Sequence, residues 1–583
     1  MNSDRMSLIF SLKRLVQKLR KLSPSGLLFS FLMGSIIILH AQEGHFFNPI
    51  LRGGYPDPSI CRVGNDFYLV NSSFEYFPGL PIHKSRDLVN WELIGYGLHR
   101  QDQCNGKVNL IDVQSNGGIH APTIRFHEGK FYIITTNVYY NHESGTTDFV
   151  NFIITAENPE GPWSDPHILD GAPGIDPDVF FDDDGTAWYT GTHTPPDPNF
   201  PGEGEIWLQK LDLRNWKLTG ERSFLWRGAC GGVWVEGPHI YKKDNRYYLM
   251  VAEGGTSFNH AVMIAVSDHI RGPYIPNERN PILTTRNLSY DNWVVSTGHA
   301  DLVELTDGRW FMVALGVRGE LDRNSNMGRE TFLVPVTWER EPFEWKQVNY
   351  LWPVCAPQTG RVEQIGIMPF PGVAQVLDTL FTDTFDNSCL SPDWNFRRLP
   401  LKTTFNLTER RGFLRLYAGI NTIRERGRCS LMGIRQKETD FRYETRMEFN
   451  PGTDMCEAGI SIFQKDDQFY TFTLVNRQGK HWIQLKLAEP ATPLQIVAEK
   501  ELEGYKGDIT LILNSSNQSY EFCYSMNHEP ESVVFRKTSS EKILSKGYTG
   551  AYLGVYSSSN GRITNDFADF DYVKCKFEPV RKF

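Results

Sequence analysis

The sequence predicts an all-β chain, a five-bladed β-propeller followed by a jelly-roll β-sandwich, and three observations carry that reading. Stretches with helical periodicity are scarce after residue 45, while short aromatic and β-branched runs bounded by Asn, Asp and Gly recur to the C-terminus. A turn signal followed by an aromatic pair and an apolar run returns five times at nearly constant spacing. That repeat stops near residue 350 and gives way to a different series of alternating strands. At 583 residues the chain exceeds what one core usually supports, so two or more domains are expected.

The repeat reads GNDFYLVNSS with Phe67 and Tyr68, EGKFYIITTN with Phe131 and Tyr132, and DDGTAWYTGT with Trp188 and Tyr189. It continues as KDNRYYLMVAEGG with Tyr247 and Tyr248, and TDGRWFMVALG with Trp310 and Phe311. The first aromatics are 64, 57, 59 and 63 residues apart, room in each unit for a four-stranded antiparallel sheet. Looser echoes follow at SRDLVNWE, AENPEGPWS, LDLRNWKL and VSDHIRGPY. A sandwich would also give short strands and turns, but it imposes no common period near 60 residues, whereas radial blades do.

The strand before each aromatic pair holds an ionisable residue at an equivalent place. Counting back from the first aromatic, Asp57 lies ten residues away, His120 eleven, Asp176 twelve, Glu236 eleven and His299 eleven. The first strand of every blade lines the central channel, so these five groups are expected to converge on one pocket. Pro58, Pro122, Pro177 and Pro238 follow closely and stiffen the backbone there. An Asx-type turn explains one aspartate before a proline, but not acids at the same blade position in three repeats. Gathered carboxylates cost stability and are tolerated mainly where function requires them. Across a pocket they suit glycosidic hydrolysis, one protonating the leaving oxygen and another acting on water or on the sugar. A third can tune the acid, and His299 can order axial water or a metal ion. DDDG at 182–185 lacks the later ligands of a calcium loop and reads as a hairpin turn.

The remaining elements bound partners and compartment. Residues 1–41 read as an export signal: a basic stretch with Lys13, Arg14, Lys18, Arg20 and Lys21, then the apolar GLLFSFLMGSIIILHA, short for a membrane span and interrupted, which favours cleavage near Ala41 over an uncleaved N-terminal anchor. Without them the chain carries 54 basic and 68 acidic residues, a net −14, which argues against nucleic acid or anionic membrane as partner and permits a neutral carbohydrate. Exported, periplasmic or secreted, is the expected location, with no membrane contact after signal cleavage. The nine cysteines form no metal-ligand spacing and read as buried hydrophobes, with a bridge or two left open. The propeller is placed at 42–350, a connector at 351–378 and the sandwich at 379–583, whose strands include GFLRLYA, YETRMEF, AGISIFQ, FYTFTLV and HWIQLKL.

NPILRGGYPDPSICRVGNDFYLVNSSFEYFPGLPIHKSRDLVNW, IHAPTIRFHEGKFYIITTN, GIDPDVFFDDDG, EGPHIYKKDNRYYLMVAEGGTSFNH and STGHADLVE resemble family-43 glycoside hydrolases, chiefly β-xylosidases and α-L-arabinofuranosidases. SPDWNFRRLP and GFLRLYA resemble the concanavalin-like, lectin-type domain attached to many of those β-xylosidases. The resemblance implies an inverting O-glycosyl hydrolase with Asp57 as general base, Asp176 tuning and orienting, and Glu236 as general acid, its two reacting carboxyls about 6.5–9.5 Å apart. It implies sugar contacts from Arg329 in MGRETF and an aromatic wall from Tyr76 and Phe77 in FEYFPG, with His120 also facing the substrate. His299 is implied as an axial ligand of calcium or ordered water, with no cofactor required for the chemistry. The sandwich is expected to close one side of the pocket, in preference to acting as a separate carbohydrate-binding module. Release of terminal xylose from plant cell-wall fragments is the leading expectation and of arabinofuranose the second. Two readings stand beside them: a retaining fructan hydrolase, disfavoured because no WMNDPNG-like string is present, and a non-hydrolytic glycan-binding propeller.

Overall fold

The computed structural model describes residues 44–579 apart from 322–323, 343–347, 531 and 545–546, so the export signal expected at 1–41 lies outside the described residues. Five antiparallel sheets of consecutive strands follow one another along the first part of the chain. The first blade is Ser59–Val63, Asp66–Val70, Gly79–Ser85 and Glu92–Leu98. The second is Gly118–His127, Lys130–Asn141, Thr146–Ala156 and His167–Ile168. Ile175–Phe181, Ala187–His193, Glu205–Asp212 and Lys217–Trp226 make the third. The fourth, Glu236–Lys243, Arg246–Glu253, Ala261–Ser267 and Ile275–Pro276, gains a fifth strand, Leu283–Thr284. Val295–Glu304, Trp310–Val317, Arg329–Arg340 and Leu351–Cys355 make the fifth. Each first strand touches the first strand of the next blade, and the fifth returns to the first, which closes the ring.

The aromatic pairs explain how the blades stack. Adjacent residues on a strand point to opposite faces, so one aromatic of each pair enters the core on one side of its blade and its neighbour the other. Phe67 packs with Phe311 and Val313 between the fifth and first blades, whereas Tyr68 packs with Ile124 and Phe131 between the first and second. Tyr132 and Tyr189 share the next interblade core, Trp188 lies with Leu249 and Met263 beyond it, and Tyr248 with Met312 in the fifth.

The propeller extends slightly past the predicted boundary. LWPVC at 351–355 is the outer strand of the fifth blade, paired with Val336 to Arg340, and the connector therefore begins after it. Connector residues Ile365–Ile367 pair with His45–Phe47. Asn48 fastens the same region, donating to the carbonyls of Leu333 at 3.0 Å and Glu363 at 2.9 Å and accepting from the Leu333 N–H at 2.9 Å.

The second unit is a two-sheet sandwich. One sheet is built around Asp440–Glu448 and Phe567–Glu578, the other around Glu457–Lys465 and Tyr552–Ser558, and their inner faces share one apolar core. The second sheet does not end within its own domain. Its last strand is Tyr76–Phe77, donated by the first blade and paired with Asn395–Arg397 through Phe396 to Phe77 and Arg397 to Tyr76. An exposed sheet edge is a ready site for strand addition, and here the propeller fills it.

Candidate active site

Each inner strand carries one residue in the left-handed region where it meets the cavity: Asp57 (φ 50°), Ala121 (28°), Asp176 (55°), Gly237 (56°) and His299 (42°). Pairing to the next strand slips at these positions in the second to fifth blades, the geometry of a β-bulge, which turns a side chain out of the sheet. For a residue other than glycine this conformation costs about 1–3 kcal/mol and clusters at functional sites. The left-handed residue is the ionisable one in the first, third and fifth blades. In the second and fourth it directly follows His120 and Glu236, and this one-residue slip brings those two blades to the offset of ten seen in the first, while the third and fifth keep twelve and eleven.

The five ionisable groups meet on one cavity of about 630 Å³, also walled by Phe149, Trp234, Thr256, Arg329 and Tyr548. Arg329 grips Asp57 with two donors, at 2.8 and 3.2 Å, and donates to Thr256 Oγ1 at 3.1 Å. Ser72 Oγ donates to the other side of Asp57 at 2.6 Å and accepts from the Ala121 N–H at 2.6 Å. Burial opposes the charge on Asp57, but Arg329, His299, Ser72 and His120 outweigh it and hold the carboxyl below its ordinary range. Glu236 shows the contrary balance: burial first and the Asp57 charge second push it up to about 7, against the pull of Arg329. Burial, then Glu236 and Asp57, also raise Asp176 well above the usual carboxylate range, although it accepts the Gly237 N–H at 3.2 Å. Burial keeps His120 and His299 neutral, each lowered to about 4. His120 Nε2 donates to the Asn116 carbonyl at 3.1 Å. The His299 ring lies against Gly237, where an added methyl would sit 3.0 Å from it.

Ligand atoms of Asp176, Glu236 and His299 lie within 4.8 Å of one another, the one such three-residue group among the described residues. An imidazole and two carboxyls offer fewer oxygens than the six to eight of a calcium shell, so this group alone does not complete one.

Tyr76 and Phe77 do not line the cavity, and the aromatic wall expected of them is corrected here. Tyr76 is buried and stacks on Tyr552 of the sandwich at 3.8 Å, and Phe77 is buried in the core between the first two blades. Both are drawn inward because their backbone serves as the sandwich's edge strand. Phe74, just before them, is the aromatic beside the site: its ring meets His120 at 4.7 Å and Tyr548 at 5.5 Å and underlies the Arg329 guanidinium. Tyr548 comes from the sandwich, so the second domain does supply part of the pocket wall. Its N–H donates to Asn116 Oδ1 at 3.0 Å, and its carbonyl accepts from Arg329 at 3.1 Å.

A second ring lies one layer deeper and went unread in the sequence. Two residues past each left-handed position stand Ser59, Thr123, Asp178, His239 and Asp301, all buried and polar. Arg125 ties them together, bonding Asp301 at 2.8 Å, Asp178 at 3.0 Å and His239 Nδ1 at 2.9 Å, while Ser59 and Tyr241 donate to Asp301 at 2.7 and 2.6 Å. The signal was the period of two along each inner strand.

Comparison with known proteins agrees with this geometry. Residues 46–342 match glycosyl hydrolases family 43, and residues 382–576 match the beta xylosidase C-terminal concanavalin A-like domain. The chain is 39% identical over 535 residues to a xylosidase/arabinosidase of Butyrivibrio fibrisolvens, covering 90% of this chain and 98% of that one. It is 35% identical to the non-reducing end alpha-L-arabinofuranosidase of Bacteroides ovatus, covering 90% and 94%. Among solved structures, a xylan beta-1,4-xylosidase from Bacillus halodurans superposes with a TM-score of 0.81 at 29% identity, over 91% of this chain and all of that one. With five blades, a ring of three acids and both domains matched, the chain belongs to glycoside hydrolase family 43 and is an O-glycosyl hydrolase.

Proposed function

We propose that the protein is an exported, inverting exo-glycosidase that releases terminal xylose from plant cell-wall oligosaccharides. The observation that carries the reading is the opposite tuning of two carboxyls on one cavity: Asp57 held ionised, Glu236 raised to about 7. Separated pKa values of that kind assign a base and an acid. Asp57, oriented by Arg329 and Ser72, takes the proton of the attacking water as its oxygen closes on the anomeric carbon. Glu236 gives its proton to the glycosidic oxygen as that bond breaks. Asp176 and Glu236 titrate as a pair, both raised by burial, and the Gly237 N–H bonded to Asp176 is the contact that favours the proton on Glu236.

Xylose is favoured as the released sugar because the sandwich matches a beta xylosidase domain. Arabinofuranose is the second reading, favoured by the name of the Bacteroides ovatus relative. Export rests on the basic stretch and apolar run before residue 42. Aryl β-xyloside is expected to be turned over faster than aryl α-L-arabinofuranoside, and the reverse order selects the second reading. The rate should fall above about pH 7, where Glu236 loses its proton, and in acid only once Asp57 gains one, below the ordinary carboxylate range. A kcat/KM profile rising through pH 7 to 9 would contradict the assignment.

A further inference from the structure

A single guanidinium joins the inner strands of all five blades. Arg125 lies on the inner strand of the second blade, four residues past Ala121, and its two terminal nitrogens reach one residue in each of the others. Nη1 donates to Asp301 of the fifth blade at 2.8 Å and lies 3.4 Å from Ser59 Oγ of the first. Nη2 meets Asp178 of the third at 3.0 Å and His239 Nδ1 of the fourth at 2.9 Å. Asp301 doubles the tie to the first blade, accepting from Ser59 Oγ at 2.7 Å and from the Ile60 N–H at 3.0 Å. Thr123 Oγ1 adds a bond to the carbonyl of Pro177, between Asp176 and Asp178, at 3.0 Å. Asp178, His239 and Asp301 are buried, and the Arg125 side chain is 17% exposed. Desolvation offsets most of the attraction in a buried charge network, so this one is a poor source of net stability and a better source of fixed geometry.

These contacts sit directly behind the reacting groups. Ser59 stands two residues past Asp57, Asp178 two past Asp176 and His239 three past Glu236, so a change of spacing in the deeper ring passes along the same strand to the carboxyl in front of it. Inversion needs two carboxyls held far enough apart to admit a water, and a misplacement of about 1 Å can cost about a hundredfold in rate. The planar fork of arginine fixes several partners at set distances and angles, which an ammonium on a flexible stem does not. We propose that Arg125 is a positioning residue for the hydrolysis: outside the cavity wall itself, it clamps the five blades together and so sets the separation of Asp57, Asp176 and Glu236. This rests on the base and acid roles given above to Asp57 and Glu236.

The test measures kcat and KM on whichever aryl glycoside, β-xyloside or α-L-arabinofuranoside, the wild type turns over faster, with folding checked by near-UV circular dichroism. Arg125→Lys keeps a positive charge beside Asp178 and Asp301 but not the fork. It is expected to fold, to lose about tenfold or more in kcat, and to keep KM within about twofold. Arg125→Ala should lose at least as much. Millimolar guanidinium, but not its uncharged analogue urea, should recover part of that kcat by refilling the place of the side chain, whose exposed edge gives access from solvent. If Arg125→Ala does not fold, Arg125→Lys decides alone. A folded Arg125→Lys with wild-type kcat, a loss confined to KM or to the melting temperature, or a folded Arg125→Ala that guanidinium does not help overturns the positioning role and leaves the hydrolase reading intact. A wild type that turns over neither glycoside removes the hydrolase reading, and the positioning role with it.

Discussion

Glu236→Ala is expected to lower kcat/KM on xylobiose by about 10²–10⁴-fold and on dinitrophenyl xyloside far less, because general acid catalysis of that size matters only where the leaving oxygen needs a proton. Dinitrophenolate leaves without one. The same variant should lose the alkaline limb near pH 7, since that limb is the deprotonation of Glu236. The fold should survive, as Glu236 is only partly buried at the cavity wall. Steady-state kinetics on the two substrates checks both points. Equal losses on both would mean that Glu236 acts on something other than the departing oxygen.

Asp57→Asn should give the complementary pattern. Water must be activated whatever group departs, so xylobiose and dinitrophenyl xyloside should both lose about 10²–10⁴-fold. Asparagine keeps the shape and a carbonyl oxygen for Arg329 and Ser72, so the loss reports the missing base more than a collapsed site. Some destabilisation is expected as well, since Arg329, buried beside Tyr548 and Thr256, would lose its anionic partner. That cost belongs in the melting temperature, and the uniform rate loss in kcat.

The two variants bear on the parts of the site that were legible from the sequence. Asp57, Asp176, Glu236, His120 and His299 could be found by counting because a propeller repeats one backbone plan, and their convergence follows from the plan alone. The aromatic pairs were visible for the same reason, each serving the two faces of its blade. Tyr76 and Phe77 were misplaced because their burial depends on a strand pairing with residues 395–397, more than 300 positions away, and no local pattern announces that. Tyr548 was hidden similarly, a loop residue of the second domain whose role exists only once the domains dock. Arg125 and the deeper ring of Asp178, His239 and Asp301 were within reach of the period-two alternation, but their pairing across blades is a tertiary fact.

The Asp57 role also separates single from double displacement. A carboxylate that activates water inverts the anomeric centre, whereas one that attacks the sugar itself forms a covalent intermediate and retains it. Proton NMR recorded during the first minutes of β-xyloside hydrolysis reads this directly: α-xylose appearing before mutarotation is the predicted result, and β-xylose appearing first would contradict it.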